Sequence, residues 1–144
     1  MSFTTVLDAI KATIETDSAL LAIAAAKGWD PLTVKTTYKN RAEIALDELP
    51  IVMLSRPRVS RERSYGSLTG THTVRIYAGF YQPDVDKRVA ELIEFEELIV
   101  AALEEDPTLG DLVEGITPGE SVNDEGATDT CFLVQEIEII KKGV

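Results

Sequence analysis

The segment Thr71–Tyr81 constrains the fold more than any other part of the chain. It alternates strictly: Val74, Ile76, Ala78 and Phe80 point one way, and Arg75, Tyr77, Gly79 and Tyr81 point the other. A period of two over this length is a β-strand with one apolar face, and that face needs a second layer to cover it. The cover follows at once. Asp84 is placed to cap a helix running to about Glu105, with Val85, Val89, Leu92, Ile93, Ile99, Val100 and Leu103 as the expected buried stripe, widened by Phe95 and Leu98.

The rest of the chain supplies further pieces of the same two layers. Phe3, Val6, Leu7, Ile10 and Ile14 recur at three- and four-residue spacing and predict an amphipathic N-terminal helix, with Thr5 and Asp8 spaced as a capping box. A second short helix is expected over Ser18 to Lys27, stopped by Gly28, after which Trp29, Asp30 and Pro31 turn the chain. Val34 to Tyr38 is a candidate strand. Pro50 introduces Ile51-Val52-Met53-Leu54, an apolar run of buried-strand length that Arg56-Pro57 should end. Cys131 to Lys142 closes the chain as a strand, with Phe132, Val134, Ile137, Ile139 and Ile140 as its apolar residues. The order predicts a single α/β (α+β) domain over 1–144: a mixed sheet of four to five strands with helices packed on one face. Two stretches remain as connections, a basic one at about 55–70 and an acidic loop at about 106–130, the latter punctuated by Pro107, Gly110, Gly115, Pro118, Gly119 and Gly126.

A chain of 144 residues can bury a core without staples. The longest stretch free of strong polar residues, Ala19 to Ala26, is far too short to cross a bilayer, and the first residues show no basic region followed by an apolar run. No membrane contact and no secretory signal are therefore expected. Cys131 is the single cysteine, lies in an apolar run and reads as a small buried thiol in a protein made in a reducing cytoplasm. The net charge of −11 is unevenly spread: residues 1–83 hold 10 Lys/Arg against 8 Asp/Glu, a net of +2, and residues 84–144 hold 4 against 17, a net of −13. Such a chain can present a basic edge and an acidic one, which suits head-to-tail self-association; a solvated acidic surface would show the same numbers.

Signals for chemistry are few. His72 is the single histidine, and one histidine with one distant cysteine does not make a zinc site. It reads as a structural or surface residue. There is no nucleophile elbow and no phosphate-cradling GxxxxGK[ST] segment. Glu94, Glu97 and Glu104 share one side of the long helix, as the solvated face of an amphipathic helix does. Asp124, Glu125 and Asp129 are a cation-loop candidate without EF-hand spacing. No catalytic residue, cofactor site or metal site is assigned.

One local feature stands out, Ser55-Arg56-Pro57-Arg58-Val59-Ser60-Arg61-Glu62-Arg63-Ser64. As a nucleic-acid patch it lacks interleaved aromatics beyond Tyr65, and the overall charge opposes phosphate. As a solvated hairpin it needs no partner. As a protruding arm, Arg56, Arg58, Arg61 and Arg63 would dock on carboxylates of a neighbouring subunit. The matching acidic face would comprise Glu104, Glu105, Asp106, Asp111 and Glu114, the first three standing where a helix C-terminus disfavours negative charge.

The order of these elements resembles a known family. The amphipathic N-terminal helix, Glu48-Leu49-Pro50 leading into Ile51–Leu54, the Ser55-Arg56-Pro57 exit, the strand Thr71–Tyr81, the helix of about 20 residues and the acidic stretch before a terminal strand are similar to the tail-terminator, or tail-completion, proteins of tailed phages and Mu-like prophages. The resemblance implies a structural virion protein, assembled in the host cytoplasm, that forms a hexameric ring at the head-proximal end of the tail. The ring would stop polymerisation of the tube and offer a surface for joining the head. Its implied partners are its own copies, the tail tube protein, and a head-completion or neck protein and tail sheath; DNA would pass through the lumen without specific binding. Neither an enzymatic mechanism nor a cofactor is implied. A head–tail connector role, and a small cytoplasmic ligand-binding domain or enzyme, remain as alternatives.

Overall fold

The computed structural model describes residues 2–29, 32–40, 43–124 and 129–143. Helices α1 (Phe3–Thr16) and α2 (Ser18–Ala26) come first, then strand β1 (Val34–Lys35), a short 3-10 turn (Leu46–Glu48), the long strands β2 (Ile51–Ser64) and β3 (Ser67–Tyr81), helix α3 (Val85–Glu105), and strands β4 (Gly115–Asp124) and β5 (Thr130–Lys142). The five strands form one mixed sheet in the order β1-β2-β3-β5-β4, antiparallel except for the β1–β2 pair. This is the predicted α+β class.

The core joins the three helices to one face of this sheet. Val52 and Leu54, then Val74, Ile76, Ala78 and Phe80, then Leu133, Ile137 and Ile139 meet Val6, Ile10 and Ile14 of α1, Leu20 and Ala24 of α2, and Leu92, Phe95 and Ile99 of α3. Each fully buried Leu or Ile contributes about 1.5–3 kcal/mol. Trp29 joins the layers from the end of α2, its ring 5.2 Å from Phe80 and 6.0 Å from Phe95. Cys131 is buried, as its apolar setting predicts. The other face of the sheet is partly covered by the segment after β1, where Tyr38 lies against Tyr77 and the Lys39 amide donates to the Met53 sulfur. Gly79 is required there, because a Cβ would run into the Phe132 ring of the neighbouring strand.

Several local expectations are corrected. The N-cap of α1 is Ser2, whose Oγ accepts from the Thr4 amide, so Thr5 and Asp8 lie inside the helix and form no capping box. The first strand stops at Lys35 instead of Tyr38. On α3, Asp84 is the N-cap as expected, but the buried stripe is Arg88, Leu92, Phe95, Ile99, Ala102 and Leu103. Val85, Val89 and Ile93 are exposed. Two apolar stripes compete on this helix, and the one carrying the larger side chains faces Trp29 and Phe80. Arg88 is tolerated on that side because its Nε donates to the Gln82 carbonyl at 2.8 Å and its guanidinium reaches Asp129.

The two connections are corrected most. Arg56-Pro57 does not end β2; a register shift between Ser55 and Arg58 absorbs the proline, and the ladder with β3 resumes to the tip. The basic stretch is therefore a β-hairpin, and β3 begins at Ser67 instead of Thr71. The acidic loop contains β4, paired with β5 through its own shift between Pro118 and Ser121. Pro118 and Gly119, which read as loop punctuation, sit at that irregularity on an edge strand, where a missing N–H is tolerated.

Candidate assembly interface

The basic hairpin is built from backbone pairing. Tyr65 and Gly66 at its tip have φ of 51° and 79°, the two positive values that a two-residue turn between twisted strands requires. On its inner side β5 follows almost to the tip, with Thr69 opposite Lys142 and the Gly143 amide donating to the Leu68 carbonyl at 2.7 Å. Arg56, Arg58, Arg61 and Arg63 are all exposed, as predicted for an arm. Arg61 and Arg63 lie opposite Gly70 and Leu68, on the helix side of the sheet with His72; Arg58, opposite Thr73, lies on the other side. Ion pairs join Lys27 to Glu91, Lys39 to Glu48, Arg75 to Glu136, Lys87 to Asp84 and Arg88 to Asp129, and among the described residues none involves the four arm arginines.

Arg56 has a distinct task at the base of the arm. Its Nη1 lies 3.2 Å from His72 Nδ1, and its guanidinium lies 5.2 Å from the Phe3 ring centre. Phe3 stacks on His72 with ring centres 4.0 Å apart. Guanidinium only donates, so Nδ1 accepts and the imidazole proton sits on Nε2. That Nε2 is buried, and among the described residues it has no hydrogen-bond partner. Gly70 leaves space for the ring, since a Cβ there would lie 2.7 Å from Nε2. Burial first, then the charges of Arg56, Arg61 and Lys141, push the His72 pKa down to about 4. His72 is thus a neutral structural residue, and the cluster holds the N-terminus of α1 against the arm.

Two of the acidic candidates, Glu105 and Asp106, lie at the other end of α1. Thr13 and Thr16 line a cleft with Asp17, Ala102, Glu105 and Asp106, about 20 Å along the helix from Phe3. No basic residue lies in the last turn of α3. Asp106 caps the turn that follows, accepting from the Gly110 amide at 2.9 Å. Leu109 and Val113 are buried in that turn, leaving Asp111 and Glu114 exposed. The Glu114 amide donates to the Ile140 carbonyl at 2.7 Å, which starts the β4 ladder. Among the described residues no ion pair joins the arm arginines to these carboxylates. Of the loop cation candidate, Glu125 falls outside the described residues, and among the described residues no group of three or more His, Cys, Asp or Glu is placed to hold a metal ion. No helix among the described residues is long and apolar enough to cross a membrane.

Sequence reasoning missed two features. The His72 cluster joins residues far apart in the chain, and only the alternation that puts His72 in register with Val74 and Ile76 hinted at its burial. The acidic edge strand β4 was hidden by Pro118-Gly119, although Gly115-Ile116-Thr117 and Ser121-Val122 carry short strand-like alternations.

No protein-family model matches the chain, and no curated protein matches it in sequence. The fold does match among solved structures. A chain from the virion of a native gene transfer agent (GTA) particle is similar to it with a TM-score of 0.59 and 11% identity, over 95% of this chain and 94% of that one. The two share their fold from end to end.

Proposed function

We propose that this chain is a structural virion protein, a tail-terminator subunit that closes as a ring on the head-proximal end of a tail tube. The observation that carries this reading is the likeness, over nearly the whole of both chains, to a chain of a gene transfer agent virion. The element order noted in the sequence and the separation of basic and acidic surfaces support it. A terminator must match the growing surface of the tube on one side and withhold that surface on the other. Such a task uses two different faces on a stable body and needs no nucleophile or cofactor. The tube protein would meet one face, and a neck or head-completion protein the other. A lumen of negative charge would let DNA slide through without holding its phosphates.

A phage or prophage lacking this gene should make tubes of uncontrolled length that do not join heads, and adding the purified protein should cap them. Normal-length tails beside leaking heads would replace this reading with a head–tail connector.

A further inference from the structure

Both outer edges of the sheet are open, and their charges are opposite. β1 covers β2 only at Val52 and Met53, so among the described residues no strand lies outside Ser55–Ser64. At the far end, among the described residues, β4 is paired on its β5 side alone. An uncovered edge offers a row of backbone donors and acceptors to another chain. The first edge carries the four arginines, none of them in an ion pair with a described residue. Near the second, no lysine or arginine occurs between Arg88 and Lys141, and Lys141 turns its ammonium onto the Lys142 carbonyl. Two β2 edges would repel each other, as would two β4 edges. Only the unlike pair attracts, and a contact between unlike surfaces generates rings or filaments.

The rows of the sheet also decide where the edges can meet. Arg58, Thr73, Glu138 and Thr117 form one row, and Ser60, Thr71, Ile140 and Gly115 the next. At this height both edges are open. Higher up, Met53, Tyr77, Val134 and Val122 share a row, and there β1 already occupies the outside of β2 through Lys35. Beyond Gly115, on the rows of Arg61 and Arg63, the chain leads back through Glu114 and Asp111 to the acidic end of α3, which packs on the same side of the sheet as those two arginines.

We infer that the β2 edge of one copy pairs antiparallel with the β4 edge of a second copy, near Gly115–Thr117. Arg61 and Arg63 reach the carboxylates of Asp111, Glu114 and the α3 C-terminus, while Arg56 stays with His72 in its own subunit. The inference rests on the proposed ring only for closure. It identifies the partner of the arm as the start of β4 on the next copy.

Ser60 and Thr117 are exposed on the same side of the sheet, and Cys131 is buried. The full chain carrying Ser60→Cys and Thr117→Cys should therefore cross-link with a short bismaleimide, each thiol adding across one maleimide double bond, into a ladder that ends at the ring size. Each single variant alone should not. The reaction is run on the protein alone and with the tube protein of its own virion, beside electron micrographs. Rings without cross-links would overturn the edge pairing and leave the ring intact; no assembly in either mixture would overturn both. As a second variant, Arg61→Glu with Arg63→Glu should weaken assembly on the order of tenfold or more. Adding Asp111→Arg and Glu114→Arg should restore it. Unchanged assembly in the first of these charge variants would also count against the pairing.

Discussion

The basic stretch after Leu54 and the acidic stretch after Glu105 read alike in the sequence, as charged and punctuated connections, yet the fold treats them in opposite ways. The basic one is held by backbone. Its residues lie in a ladder with β3 that β5 supports from behind, and its side chains have almost no apolar burial. The acidic one is held by side chains over its first turn, before β4 joins the ladder with β5 at Gly115. Leu109 and Val113 are anchored in the core, and Leu109 accepts a φ of 50° to get there. The difference shows that an exposed charged surface can be kept rigid by two routes, and that the routes respond to different mutations.

The largest effect should come from the acidic turn's anchor. Leu109→Ala should cost about 2–4 kcal/mol in denaturant unfolding, the usual range for a buried leucine, and lower acidic-face function through folding. A loss below about 1 kcal/mol would show that the turn is held by its hydrogen bonds instead.

The arm's base should respond to pH. His72 has its pKa lowered from 6.5 to about 4, so the fold favours the neutral ring. The stability it contributes is full above pH 6.5 and is lost as the pH falls toward 4, by up to about 3 kcal/mol. His72→Gln should remove that part of the pH dependence, leaving the slope set by the carboxylates. Parallel stability–pH curves for parent and variant would refute the buried neutral histidine.

Reversing charge at the C-terminal end of α3 should slightly stabilise the protein. Glu105→Lys would complement the helix dipole and gain about 0.3–1 kcal/mol, seen as a small rise in Tm, while weakening self-association. A gain in stability with assembly untouched would remove this end of α3 from the acceptor surface.

The smallest stability change is expected on the arm. Arg58→Ser, Arg61→Ser and Arg63→Ser together should move Tm by only a few degrees, since exposed positions cost under about 0.5 kcal/mol each. Assembly should fall, and parent rings should loosen as salt rises. Arg56→Ser belongs to a different class, because it leaves Phe3 and His72 without their guanidinium. If Arg56→Ser is as silent in unfolding as the other three, its role at the base is wrong.

Periodicity was a dependable signal on β3 and α1, where a single apolar face is buried, and less so on α3, where two apolar stripes competed. The alternation from Val74 to Phe80 and the helical spacing of Val6, Ile10 and Ile14 correspond to buried residues, because a side chain's direction follows locally from backbone geometry. Asp84 and Gly28 likewise marked their helix ends, since capping is local. The exposure of the four arginines was also legible, because unpaired guanidinium is costly to bury. What the sequence could not decide was pairing. Arg56 to Ser64 has no apolar alternation, and its strand exists because β3 and β5 offer backbone partners alongside it. β4 exists because β5 does the same for Gly115–Asp124. Which stripe of α3 turns inward depended on Trp29 and Phe80, and the burial of His72 depended on Phe3 and Gly70. All of these are contacts between segments distant in the chain, and only the tertiary structure brings them together.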